Sequence, residues 1–341
     1  MSEVRRRELA RHSRSAIVSA GESQVWIKWP SHAEFPSEKA DEPIEAVAAA
    51  ETYPAVISAL QRQAAKDGLH DQIEQSRGPS GRRAVDIRLE SGRETVCLWR
   101  VREVPRLLHA TIVIDDMGQD LAAEHRLLAL PYPVTFSVLP HLRYSTEIAV
   151  EAAHTGREVM LHLPMEADPG SHPAPGDGEI RVGMGAEAVR QIIEGDLRSV
   201  PHVAGVNNHM GSRATASAPL MGEVMRALAE RNLYFVDSRT TTESVALDAA
   251  RRQGLPTFYR SVFLDDTETV SYTLGQLKEF RRLVVEHGAA LAIGHPHPTT
   301  LEALARFLPQ LERDDIQLVP ASQLVRLPEV ARLSPPRRPG S

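Results

Sequence analysis

The stretch Ile112-Val-Ile-Asp-Asp-Met-Gly118 joins a β-branched apolar run to two adjacent acids and a glycine. Such a run reads as a buried strand that delivers Asp115 and Asp116 to its carboxyl end, the edge where α/β folds collect binding and catalytic groups. Neighbouring strand residues point to opposite faces, so the two acids need not share one role. An Asp after a strand also caps helices well. The rest of the chain separates these readings.

From Pro105 onward short apolar runs alternate with amphipathic stretches, the pattern of a βα repeat. Strands are expected at Ala110–Ile114, Val134–Leu139, Val159–Leu163, Val203–Asn207, Leu233–Val236, Thr257–Leu264, Ala290–Ile293 and Ile316–Val319. Helices are expected between them, among them Glu187–Leu197, Leu220–Arg231 and Leu274–Glu286. Strands at this spacing predict a distorted (β/α)-type barrel, with an open doubly wound sheet as the other option. No Gly-x-Gly-x-x-Gly follows the first strand, so a dinucleotide fold has little support.

The N-terminal third has a different texture. Residues 1–42 read as a flexible basic arm followed by a linker rich in Pro, Ser, Glu and Lys. Two helical patterns follow from Ile44 to about Ala65, then a hairpin, Ala84–Leu89 and Glu94–Val101, around a Ser-Gly-Arg turn. Residues 43–105 are thus expected to form a small α+β domain without a catalytic constellation. The barrel is assigned to 106–328, and the Pro/Arg-rich residues 329–341 to a disordered tail.

Among 341 residues, 42% are hydrophobic and 25% charged, ordinary for a globular chain. A net charge of −6 gives no electrostatic case for nucleic acid. The single cysteine, Cys97, excludes an internal disulfide framework and reads as a buried structural thiol. No run approaches the roughly 18 apolar residues of a membrane span. As written, no apolar signal segment follows the charged N-terminus.

The expected strand ends are polar almost without exception. They read Asp115-Asp116, His162-Leu-Pro-Met-Glu166, Asn207-Asn-His-Met-Gly-Ser-Arg213, Asp237-Ser-Arg239, Asp265-Asp266 and Gly294-His-Pro-His297. One His or Asp after a strand is usually a satisfied loop residue; six such ends are hard to explain by packing. Carboxylate with imidazoles is a ligand set for a divalent metal, and a further carboxylate and histidine can act as base and acid. Asp115, Asp116, His162, His209 and His295 can fill these parts. No Gly-x-Ser-x-Gly elbow offers a covalent route.

The set Ile-Asp-Asp-Met-Gly, His-Leu-Pro-Met-Glu, Asn-Asn-His-Met-Gly-Ser, Val-Asp-Ser-Arg-Thr and Ile-Gly-His-Pro-His-Pro, in this order, resembles the divergent polysaccharide deacetylases, a branch of the NodB-like carbohydrate esterases. The likeness covers about residues 108–326. It implies a distorted (β/α)7 barrel and a metal-dependent hydrolase of glycan N-acetyl groups, with relatives that are typically exported. It casts Asp115 as base, Asp116 as metal ligand and His295 as general acid. The parent motif has two histidines four residues apart, whereas here His162 is followed at that distance by Glu166. Either Glu166 or His209 then completes the site; His209 is favoured because imidazole suits zinc and Asn207 and Asn208 can orient it. His297 is read as structural or a substrate contact. Arg213, Asp237 and Arg239 are read as tuning base and acid, binding sugar hydroxyls, or forming plain ion pairs. The expected cofactor is a divalent metal, zinc first, and the expected partner a glycan. The alternatives are a glycan-binding barrel without turnover and a metal hydrolase of another amide or ester, which the 5% aromatic content keeps open.

Overall fold

A computed structural model of the chain describes residues 2–21, 24–28, 42–77, 82–170, 174–327, 330 and 333. Its contacts divide it into two units, residues 1–108 and 109–341, so the boundary falls three residues beyond the expected one.

The first unit corrects the reading of the N-terminus. Residues Glu3–Gly21 form helix α1 where a flexible arm was expected. Its buried residues Leu9, Ser13, Ile17 and Gly21 recur every four positions, a narrow stripe that the arginine-rich composition conceals. Trp99 Nε1 donates to Ser13 Oγ at 2.9 Å, tying the helix to the core. The Pro/Ser/Glu/Lys-rich linker lies almost wholly outside the described residues, as do 334–341 of the tail.

Strands β1 (Val25–Lys28), β2 (Pro43–Ala49), β3 (His70–Arg77), β4 (Arg83–Ser91) and β5 (Glu94–Val104), with helix α2 (Tyr53–Lys66), complete this unit. The sheet order is β1-β2-β5-β4-β3. The expected β4–β5 hairpin is present. Residues 44–49, expected to be helical, are instead strand. Their alanines favour helix in isolation, but β2 is paired by β1 on one side and β5 on the other, and tertiary pairing overrides that weak preference. Cys97 is buried, which pushes its thiol up to about 12, as suits a structural cysteine.

The second unit is a curled parallel sheet with helices packed on it, a (β/α) barrel-type architecture. Its elements are β6 (Leu108–Met117), α3 (Leu121–Leu128), β7 (Thr135–Val138), α4 (Ser145–His154), β8 (Val159–Met165), α5 (Ala186–Ser199), β9 (Val203–Met210), α6 (Ala218–Ala229) and β10 (Tyr234–Asp237). There follow α7 (Ala246–Arg252), β11 (Thr257–Tyr259), β12 (Val262–Phe263), α8 (Val270–His287), β13 (Ala289–Gly294), α9 (Pro298–Arg313), β14 (Ile316–Leu318) and α10 (Ala321–Leu324). Strands run in the order β11-β10-β9-β8-β7-β6-β13-β12, with β14 also paired to β6. Burial on both faces explains the apolar runs Ile112–Ile114 in β6, Val159–Leu161 in β8 and Ala289–Ile293 in β13.

The single strand expected over Thr257–Leu264 is divided. Arg260 N donates to Asp237 O and Ser261 N to Leu291 O, so the chain passes from the β10 side of the sheet to the β13 side within two residues. The ring is thereby closed by the chain itself at β11–β12. Register carries the strand ends to one rim: Ile114 pairs with Gly294, and Asn207 with both His162 and Val236. No helix of the described residues is long and apolar enough to cross a membrane.

The docking of α1 gives a direct expectation. Ile17 is fully buried, so Ile17→Ala should destabilise the first unit by about 2–4 kcal/mol, read as a lowered denaturation midpoint. An unchanged midpoint would contradict a packed α1.

Candidate active site

Two adjacent strand residues ordinarily face opposite ways, yet Asp115 and Asp116 converge. The β6–β7 register shifts between Ile114 and Met117, and Asp116 takes a left-handed backbone with φ 56°. The irregularity turns both carboxylates toward His162, whose Nε2 lies 3.5 Å from Asp115 Oδ2 and 3.2 Å from Asp116 Oδ1. A left-handed non-glycine residue costs of order 1–3 kcal/mol and persists where its surroundings enforce it. Met210 (φ 51°), beside His209, and Arg239 (φ 51°) repeat the device at the ends of β9 and β10.

Three donor atoms meet here. His209 Nδ1 lies 3.1 Å from Asp116 Oδ1 and 3.1 Å from His162 Nε2. Ligands about 2 Å from a tetrahedral ion sit about 3.3 Å from one another, close to the spacing of these atoms. Among the described residues, Asp116 Oδ1 is buried and receives no well-directed hydrogen bond, the condition of an oxygen that awaits a cation. The donor set therefore fits a divalent metal. Burial opposes ionisation of Asp116, but His162 and His209 outweigh it and hold the carboxyl well below the usual range. Burial likewise opposes charge on His162, while the Asp115 and then the Asp116 carboxylates raise its pKa.

Asp265, His295 and His297 also cluster at ligand spacing. Both Asp265 oxygens are already engaged: Oδ1 is 3.0 Å from His295 Nδ1, and Oδ2 accepts from His295 N at 2.6 Å and Thr300 Oγ1 at 2.7 Å. The first group is the freer of the two to take a metal ion.

Asn207 links Asp115 to His162. Its Nδ2 donates to Asp115 Oδ1 at 2.8 Å, while its Oδ1 accepts from Ser137 Oγ at 2.8 Å and from His162 Nδ1 at 2.9 Å. A proton on His162 Nδ1 leaves Nε2 with a lone pair facing the carboxylates. The expectation that Asn207 and Asn208 orient His209 thus differs from the structure: Asn207 holds His162, and Asn208 braces the rim, accepting from Ser238 N and donating to Met210 O.

His295 points Nε2 to within 3.7 Å of Asp116 Oδ2. Burial alone would lower its pKa; the Asp265 hydrogen bond, then Asp115, raises it to about 9. His297 is half-exposed at the start of α9, with its ring centre 5.8 Å from that of His295. Glu166 bonds Arg213 Nη1 at 2.7 Å and Val182 N at 2.7 Å, bracing the loop after β8. Asp237 accepts from Arg239 N and Ser244 Oγ, and burial pushes its carboxyl up. A cleft of about 600 Å³ is lined by Asp115, His162, His209, Arg239, Arg260 and His295, among others.

Residues 112–325 match the family described as divergent polysaccharide deacetylase. The chain belongs to this family. Among curated relatives of this deacetylase-family chain, the uncharacterized protein YibQ of Escherichia coli K12 is 38% identical over 226 residues, 66% of this chain and 70% of that one. An uncharacterized protein of Haemophilus influenzae is 38% identical over 215 residues, 63% of this chain and 76% of its own length. A crystal structure of the uncharacterized protein ATU2773 from Agrobacterium tumefaciens C58 superposes with a TM-score of 0.61 at 20% identity, covering 75% of this chain and 100% of that one; this likeness concerns the fold alone.

Four side chains of this family member's site carry no role in the sequence reading. Asp265 is visible as a strand-end acid, but its bond to His295 is not. Ser137 leaves one signal, a hydroxyl that with Thr135 breaks an otherwise apolar run. Thr300 and Arg260 leave none.

Because its folded pKa is raised, protonated His295 contributes stability fully present below its ordinary value near 6.5 and lost as pH rises through about 9. In metal-free protein, the stability advantage of wild type over Asp265→Asn should therefore shrink across that window. A difference independent of pH would argue against a cationic His295.

Proposed function

We propose that the chain is a metal-dependent hydrolase that deacetylates an N-acetylated glycan. The observation that carries the reading is the convergence of Asp116, His162 and His209 at ligand spacing, with Asp115 and His295 at the same cleft. Family membership supplies the substrate class.

Asp116, His162 and His209 would hold a divalent ion, zinc by donor set. When bound, such an ion acidifies water and polarises the amide carbonyl. Asp115 accepts the proton of the attacking water. Its Oδ1 is fixed by Asn207 Nδ2, and its Oδ2 remains on the His162 side. His295, held by Asp265 through Nδ1, presents Nε2 across the site and donates a proton to the departing amine.

Purified protein should hold about one divalent ion, lost in Asp116→Ala and His209→Ala by metal analysis. Asp115→Asn should lower acetate release by about 10²- to 10⁴-fold while metal content stays near that of wild type. Loss of metal in Asp115→Asn would overturn the division of labour between the two acids. Glycan binding without acetate release by metal-loaded wild type would favour a binding barrel without turnover.

A further inference from the structure

The same cleft carries two arginines that none of these roles uses. Arg239 and Arg260 line it together with Asp115, His209 and His295. Among the described residues, neither has a carboxylate within 4.0 Å. Arg260 is fixed: Nε donates to Ser238 O at 2.6 Å, Nη2 donates to Arg239 O at 2.9 Å, and the guanidinium lies 4.9 Å from the Phe263 ring centre. Arg239 is fixed at its backbone, where φ is 51° and N donates to Asp237 Oδ1. Its guanidinium stands 5.8 Å from the Tyr259 ring centre and makes no hydrogen bond among the described residues.

Two like charges share one partly buried wall. Burial, followed by the neighbouring charge of Arg239, pushes the Arg260 guanidinium below its ordinary value. Asp115, Asp237 and Asp266 attract Arg260 from beyond ion-pair reach. Of these, Asp115 is engaged by Asn207 and Asp237 by Arg239 N and Ser244. Asp266 is the one exposed competitor. A purely structural role accounts for the two carbonyl bonds of Arg260. For Arg239 it offers only the Tyr259 ring, while the strained backbone sets a guanidinium without a hydrogen bond among the described residues beside another cation. Arginine's planar fork matches oxyanions bidentately, and such an anion would relieve the repulsion between the pair.

We propose that Arg239 and Arg260 form a subsite for an oxyanion substituent, so that the preferred substrate is an N-acetylated glycan bearing a carboxylate or sulfate on or next to the sugar presented for deacetylation. This rests on the deacetylase reading above. A neutral N-acetylglucosamine polymer leaves the pair unsatisfied.

The test compares metal-loaded full-length protein on three probes: N-acetylglucosamine tetramer, its sulfated form, and a carboxylate-bearing oligomer of N-acetylglucosamine and N-acetylmuramic acid. At least one anionic probe should exceed the neutral one in kcat/KM by about 10- to 100-fold, the range of a charged hydrogen-bonded pair, with most of the difference in KM. Whichever anionic probe leads identifies the substituent. In Arg239→Gln that ratio should collapse toward one, while Arg239→Lys retains part of it, with melting temperature unchanged in both. Equal kcat/KM for all three probes, or a ratio unaltered in Arg239→Gln, overturns the subsite while leaving the deacetylase reading intact. Absence of acetate from every probe overturns the deacetylase reading instead. Calorimetric binding of the same probes then decides the subsite: tighter anionic binding lost in Arg239→Gln upholds it, and equal binding overturns it.

Discussion

Parallel pairing is the constraint from which the rest of this unit follows. When β6 through β10 and β13 run the same way, every carboxyl end must emerge at one rim, whatever the intervening helices do. Residues separated by more than 90 positions, such as Asp115 and Asn207, then become hydrogen-bonded neighbours. The rigid sheet supplies the precision, and the loops only have to avoid blocking the rim. This is why a site built from separate segments holds Asp115, Asp116, His162, Asn207, His209 and His295 each within 3.7 Å of another of them.

Within that frame the local backbone does the fine aiming. A regular β6 would send Asp115 and Asp116 to opposite faces and leave only one of the two carboxylates beside His162. The register shift and the left-handed Asp116 place both on one histidine. Stability is sacrificed locally for that placement, and the surrounding β-branched core of Ile112, Val113 and Ile114, all fully buried, supports the strained turn.

The barrel strands were legible because burial on both faces leaves a short apolar run, as in Val159–Leu161 and Ala290–Ile293. Helix α1 was not, since its stripe of Leu9, Ser13, Ile17 and Gly21 is thin and includes a serine and a glycine. Residues 44–49 misled for the opposite reason: their local preference is clear but is overruled by two neighbouring strands. At the rim, residue types announced themselves while connections did not. Nothing in the order of residues says that Ser137 and His162 share the oxygen of Asn207, or that Asp265 grips both the ring and the backbone of His295. Those bonds depend on register and on side-chain direction, which three-dimensional closure alone fixes.

The Asn207 side chain has a consequence for how the protein ages. Its two ends are not interchangeable: the nitrogen faces a carboxylate, and the oxygen faces a ring N–H and a hydroxyl. Spontaneous deamidation would replace that nitrogen with oxygen and set two acids 2.8 Å apart, a pair that cannot both stay ionised. The charge of Asp115 would be shared with a new neighbouring acid after a mass change of one unit. Complete burial of Asn207 guards against this, because the water and the backbone freedom that deamidation needs are both withheld there.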